Sequence, residues 1–129
     1  MPITGSLQSK TTTVAALVFL SWLGAYIHTT IELELHVWRW ENSFPGLIGL
    51  VLFLGWWKQP NRRRLWAWLL LGWTFGAHLL IGAILSVLPI PLWPFYPEQS
   101  IGHYVSHVIY GVAQLPLIWV LGKEIKSRR

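Results

Sequence analysis

Apolar residues gather along this chain into four blocks, parted by short polar, basic or proline-rich segments, and the pattern predicts four helices over about 12–35, 44–58, 65–88 and 101–121. The first block, VAALVFLSWLGAYIHTTI, follows a polar leader holding Lys10 and is long enough to span a bilayer. A cleaved signal peptide is the competing reading. No A-x-A-like site precedes a soluble domain, and further apolar blocks follow, so the segment is expected to persist as a helix. The second block opens N-S-F-P-G, where Asn42 or Ser43 can cap a helix and Pro45 suits its first turn. Its clearly apolar stretch of about fourteen residues reaches only ~21 Å, short of the hydrocarbon thickness. It either crosses where the bilayer thins, with Trp56, Trp57 and Lys58 anchoring one end, or re-enters. Crossing is expected, because re-entry would put the basic segment that follows on the unfavourable side. The third block, Leu65 to Leu88, is the clearest span, and it ends in P-I-P-L-W-P-F-Y-P, whose four prolines forbid a continuing helix. The fourth, Ile101 to Leu121, is followed by the basic tail G-K-E-I-K-S-R-R.

Composition supports an all-α integral membrane four-helix bundle, one membrane domain over residues 1–129 with a short second helix. The apolar fraction is 53% against 12% charged, and blocks of some twenty apolar residues do not suit a soluble domain of this length. The net charge of +5 does not indicate a nucleic-acid binder, because the basic residues sit in short clusters beside the apolar blocks. Lys10, Lys58, Arg62, Arg63, Arg64, Lys123, Lys126, Arg128 and Arg129 fall on one side of the expected topology and only Arg39 on the other. By the positive-inside rule both termini are cytoplasmic, in a multi-pass protein of the cell (inner) membrane. The Lys58 to Arg64 segment could also bind anionic lipid or a cytoplasmic partner, but topology already accounts for it. Most of the ten tryptophans lie near block ends, as headgroup anchors do. Gly72 and Gly76 form a small-xxx-small pair, which predicts close helix packing on the third block.

Chemistry is narrowed by what is missing. There is no cysteine, so disulfides, thiolate metal sites and cysteine nucleophiles are excluded. Neither Asp, nor a nucleotide-binding glycine pattern, nor a nucleophile elbow occurs. All five histidines fall in the half of the bundle away from the termini. On the first helix His28, Glu32 and His36 are spaced i, i+4 and i+8 and share a face, drifting only about 80°, provided the helix continues that far, whereas Glu34 points elsewhere. On the fourth, His103, His107, Tyr110 and Gln114 lie within about 60° of one another. Such a polar stripe must face other helices or a wet cavity. His78, with Thr74 a turn away, is placed about 15 Å below the end of the third helix, near the midplane.

Each feature has a plain structural reading beside the functional one: an interfacial imidazole bonded to a carboxylate, Tyr and Gln as interhelical glue, a satisfied buried histidine. The convergence favours function. His28, Glu32, His36, His78, His103 and His107 are candidate ligands for Zn or non-haem Fe, and four-helix scaffolds with inward His and carboxylates build such sites. A b-type haem held by His78 and His107 fits less well, since their expected depths differ by about 6 to 9 Å. Without a metal, His28, Glu32, His107 and Tyr110 remain candidates for acid/base catalysis on a lipophilic substrate entering between helices. The stretch I-H-T-T-I-E-L resembles the His-x-x-x-Glu segment in the helices of sterol isomerase and related four-helix proteins; no second motif accompanies it, and no family is assigned on it. The rival to an enzyme is a small subunit or assembly factor that packs through its glycines and tryptophans, as a homo-oligomer or in a larger membrane complex. Its histidines would then be glue.

Overall fold

The computed structural model describes residues 2–32, 36 and 38–128, with side chains from residue 5 onward, and among these residues the structure is all helical. Four rods make it up. The first is α1 (Pro2–Glu32) and the second α2 (Trp40–Lys58). The third joins a 3-10 turn (Pro60–Arg62), α3 (Arg63–Gly72), a π-helical segment (Trp73–Ile84) and a closing 3-10 turn (Leu85–Val87). The fourth is α4 (Ile101–Val112) continued by α5 (Leu115–Ser127). Each rod packs on its neighbours in chain order and the fourth returns to the first, giving an up-and-down four-helix bundle. The first, third and fourth rods are long and apolar enough to cross a membrane. The nineteen residues of α2 run alongside residues 14–29 of α1, from Asn42 beside Thr29 to Trp56 in the core with Val14.

The rods outrun the apolar blocks that mark them. A hydropathy block reports the stretch suited to hydrocarbon, whereas a helix continues until something stops its backbone bonds. The polar leader is helical too, and within it Thr11, Thr12 and Thr13 satisfy their hydroxyls on the carbonyls four residues earlier. At the start of α2 the helix begins at Trp40 with Arg39 as its cap residue, earlier than N-S-F-P-G suggests, and Ser43 donates to the Arg39 carbonyl instead of capping. Residues 33–35, including Glu34, lie outside the described residues. Pro116 breaks the fourth rod, since it lacks an N–H and crowds the carbonyl four residues before it. The break frees the Tyr110 carbonyl for the side chain of Gln114 at 3.1 Å.

The half of the bundle that holds the chain termini has a closed apolar core: Val14, Phe53, Trp56, Ala67, Leu70, Leu117 and Leu121 meet from all four rods. Lipid is as apolar as these side chains, so close van der Waals contact holds them together. Glycines supply the close approach, though not the expected ones. A Cβ on Gly72 or Gly76 would meet nothing within 4 Å, because the third rod faces inward through Ala67, Leu70, Thr74 and His78. A Cβ on Gly24 would lie 2.7 Å from that of Ala113, and one on Gly55 would fall 2.4 Å from the Trp66 ring. In the basic tail Glu124 is buried, its carboxylate paired with Lys10 from α1 and accepting from Arg128 Nε at 2.5 Å.

Candidate functional site

In the opposite half, the interior is polar. Ser100 caps α4 by accepting from the His103 backbone N–H at 3.2 Å, which fixes His103 in the first turn and His107 one turn on. Both are buried and face the last turn of α1. There His28 and Glu32 are also one turn apart. His28 Nε2 lies 2.8 Å from His107 Nε2, and His103 Nδ1 lies 3.0 Å from Glu32 Oε2. One ring nitrogen from each of His28, His103 and His107 falls within 4.8 Å of the others, and so do single donor atoms of Glu32, Glu98 and His103.

The partners on the far side of each ring set the tautomers. The Ala83 carbonyl can only accept, so His107 Nδ1 donates to it at 2.9 Å, leaving the His107 Nε2 lone pair aimed at His28. Glu32 Oε2 likewise accepts from His103 Nδ1, which in the neutral ring leaves the lone pair on Nε2. This is the arrangement in which metal-binding imidazoles are held, one nitrogen tied to a carbonyl or carboxylate and the other free. Two ligand nitrogens on a tetrahedral ion stand about 3.3 Å apart, so the His28–His107 spacing needs only a few tenths of an ångström of opening. The π-helical register brings Ala83 to this face: it lies five residues beyond His78, and both are buried.

The cluster opens into a cavity of about 480 Å³ lined by His28, Glu32, His103, His107, Ser86 and the loop residues 95–98. That proline-rich loop folds back as a roof. Gln99 Nε2 donates to the Val87 carbonyl at 2.9 Å, Trp93 Nε1 to the Leu85 carbonyl at 3.1 Å, and Trp93 stacks on Phe95.

Of the candidates named from sequence, His28, Glu32, His103 and His107 are brought together and two others are not. His36 is exposed, outside any helix, and offers its backbone carbonyl to Asn42 and Arg39. His78 is buried a layer deeper, its Nδ1 2.7 Å from the Tyr110 hydroxyl and its ring edge-on to Trp73. Tyr110 stacks its ring on His28 at 5.6 Å but spends its hydroxyl on His78. Gln114 bonds Ser21 twice, through the hydroxyl and, at 3.0 Å, the carbonyl. Sequence reasoning missed Glu98 and Ser86 in the cavity wall and the Ala83 carbonyl behind His107. Glu98 carried a usable signal, a carboxylate two residues before a helix cap on a loop bound to turn back; the carbonyl carried none. No protein-family model, curated protein or solved structure matches this chain.

Proposed function

We propose that His28, His103 and His107 hold one divalent transition metal, zinc or non-haem iron, and that the site performs acid/base chemistry on a lipophilic substrate in the outer half of the cell (inner) membrane. The observation that carries this reading is the pair of anchored rings: Ala83 fixes His107 and Glu32 fixes His103, and a ring nitrogen of each lies within 4.8 Å of one on His28. Three histidines leave a coordination position open, and a metal there supplies Lewis acidity. Glu32 orients His103, and Glu98 stands on the cavity wall where it can take or return a proton at its carboxylate. Charge supports the same reading. Neither Glu32 nor Glu98 forms an ion pair with Lys or Arg among the described residues, and Arg39, the only basic residue of this half, is paired with Glu41 at 2.9 Å. The positive-inside count supports a cytoplasmic location for both termini, and the course of α2 along α1 supports a fourth crossing in a locally thinned bilayer.

Haem draws little support, because His28 occupies the approach to His107 and Tyr110 engages His78. The rival of a small subunit in a larger complex keeps one supporting observation, the outward Gly72 and Gly76. Metal analysis and zinc titration of the gently purified protein decide. The expected result is one ion per chain, lost in His107→Ala. Absence of bound metal together with no uptake of added Zn²⁺ or Fe²⁺ would overturn the metal centre.

A further inference from the structure

His107 forms part of the wall of two cavities. One is the polar chamber just described; the other, of about 380 Å³, is a groove between the π-helical segment and α4. Leu79, Ile84 and Val87 form one bank of the groove, and Val108, Val112 and Leu115 the other. Val108 and Val112 are more than half exposed, so the groove opens sideways toward hydrocarbon. Its two banks belong to rods long and apolar enough to span, and it runs from Tyr104 past His107 to Leu115, about 16 Å along the fourth rod. One turn in from its Tyr104 end it meets the imidazole whose Nε2 faces His28.

We infer that this groove seats the hydrocarbon chain of a single-chain amphiphile, whose polar end passes His107 into the histidine chamber. This assignment deepens the reading given above and rests on it for the chemistry at the polar end. Space argues for one chain: the groove holds about a dozen waters' share of volume, too little for two chains side by side. The shared His107 wall argues for a bound ligand over bulk lipid. The outward faces of the first two rods, at Phe19, Phe44 and Leu54, expose comparable apolar surface, and none of these residues lines the chamber. An amphiphile in the groove has its apolar and polar ends each matched to the wall it meets.

Photolabelling tests this with the intact protein. Palmitic acid carrying a diazirine at its chain end is bound to purified protein, irradiated, and the labelled residues are mapped by mass spectrometry, with metal content measured on the same sample. Labelling is expected to concentrate at Val112 and Leu115, and to fall several-fold in a Val108→Trp, Val112→Trp variant whose metal content is unchanged. Both valines face lipid, so the larger rings can be accommodated without disturbing the core. Labelling spread equally over Phe19, Phe44 and Leu54, or undiminished in the variant, would overturn the assignment. So would stronger labelling by a diacyl phosphatidylcholine bearing the same diazirine. Groove labelling in protein that neither holds metal nor takes up added Zn²⁺ or Fe²⁺ would support the chain site while overturning the metal reading, so the two fail separately.

Discussion

At the terminus end of the bundle Glu124 sits buried between two cations from opposite ends of the chain; at the other end Glu32 is hydrogen-bonded by His103 and Ser106 and has no Lys or Arg partner among the described residues. The surroundings differ in the same sense. Around Glu124 the rods close over Trp56, Leu117 and Leu121 beside a cavity of about 190 Å³, whereas around Glu32 three histidines face a chamber of about 480 Å³ roofed by a proline-rich loop. The first carboxylate is neutralised by its own chain and serves to tie α1 to α5. The second is tied to His103 of α4 and has no Lys or Arg partner among the described residues. Burial of a carboxylate therefore does not by itself mark a site; the lack of a built-in cation does.

Removing the compensation at the first carboxylate should have the largest effect. The double variant Lys10→Met, Arg128→Met leaves Glu124 buried and unpaired, and by analogy with broken buried pairs about 3 kcal/mol of stability should be lost, read as reversible unfolding in mixed micelles. Metal binding by the molecules that remain folded should be unchanged. Forcing the rods apart comes next. In Gly24→Val the new side chain collides with Ala113, and overpacking of this kind costs about 1–3 kcal/mol. Because α1 and α4 carry the two sides of the cluster, zinc affinity should fall with it; a stable protein with unchanged affinity would show that the two helices need no close approach. Glu32→Gln is expected to spare stability and weaken zinc binding by about 10–100-fold, the usual effect of losing an outer partner to a ligating histidine. Metal binding should also weaken as pH falls, since each imidazole must offer an unprotonated nitrogen. The smallest effect is expected from Gln114→Leu, about 1.2 kcal/mol, two interhelical hydrogen bonds to Ser21 at the membrane-bundle average of about 0.6 each. A loss several times larger would mean that Gln114 serves the site as well as the fold.

The contrast between the two ends was only half legible in the sequence. The four rods follow from apolar blocks, and the i, i+4 pairs His28/Glu32 and His103/His107 follow from helical periodicity, because both depend on residues close in the chain. What pairs with what across the bundle does not. Glu124 lies inside a basic tail whose charge suggests exposure, and its burial depends on Lys10, more than a hundred residues away. The Gly72/Gly76 pair faces outward because the inward face of the third rod was set by the surrounding core. The π-helical register, which the 3.6-residue period cannot anticipate, decides that Ala83 reaches His107 and that His78 reaches Tyr110. Glu98 enters from a loop, where periodicity carries no information.

The central claim is that the open chamber is a three-histidine metal centre, and X-ray absorption at the zinc edge of the zinc-loaded protein tests it most directly. The account predicts three imidazole nitrogens at about 2.0–2.1 Å, reduced to two in His28→Ala, with any remaining ligands being oxygen. A zinc environment of oxygens alone, with no imidazole signature and no change in His28→Ala, would contradict it.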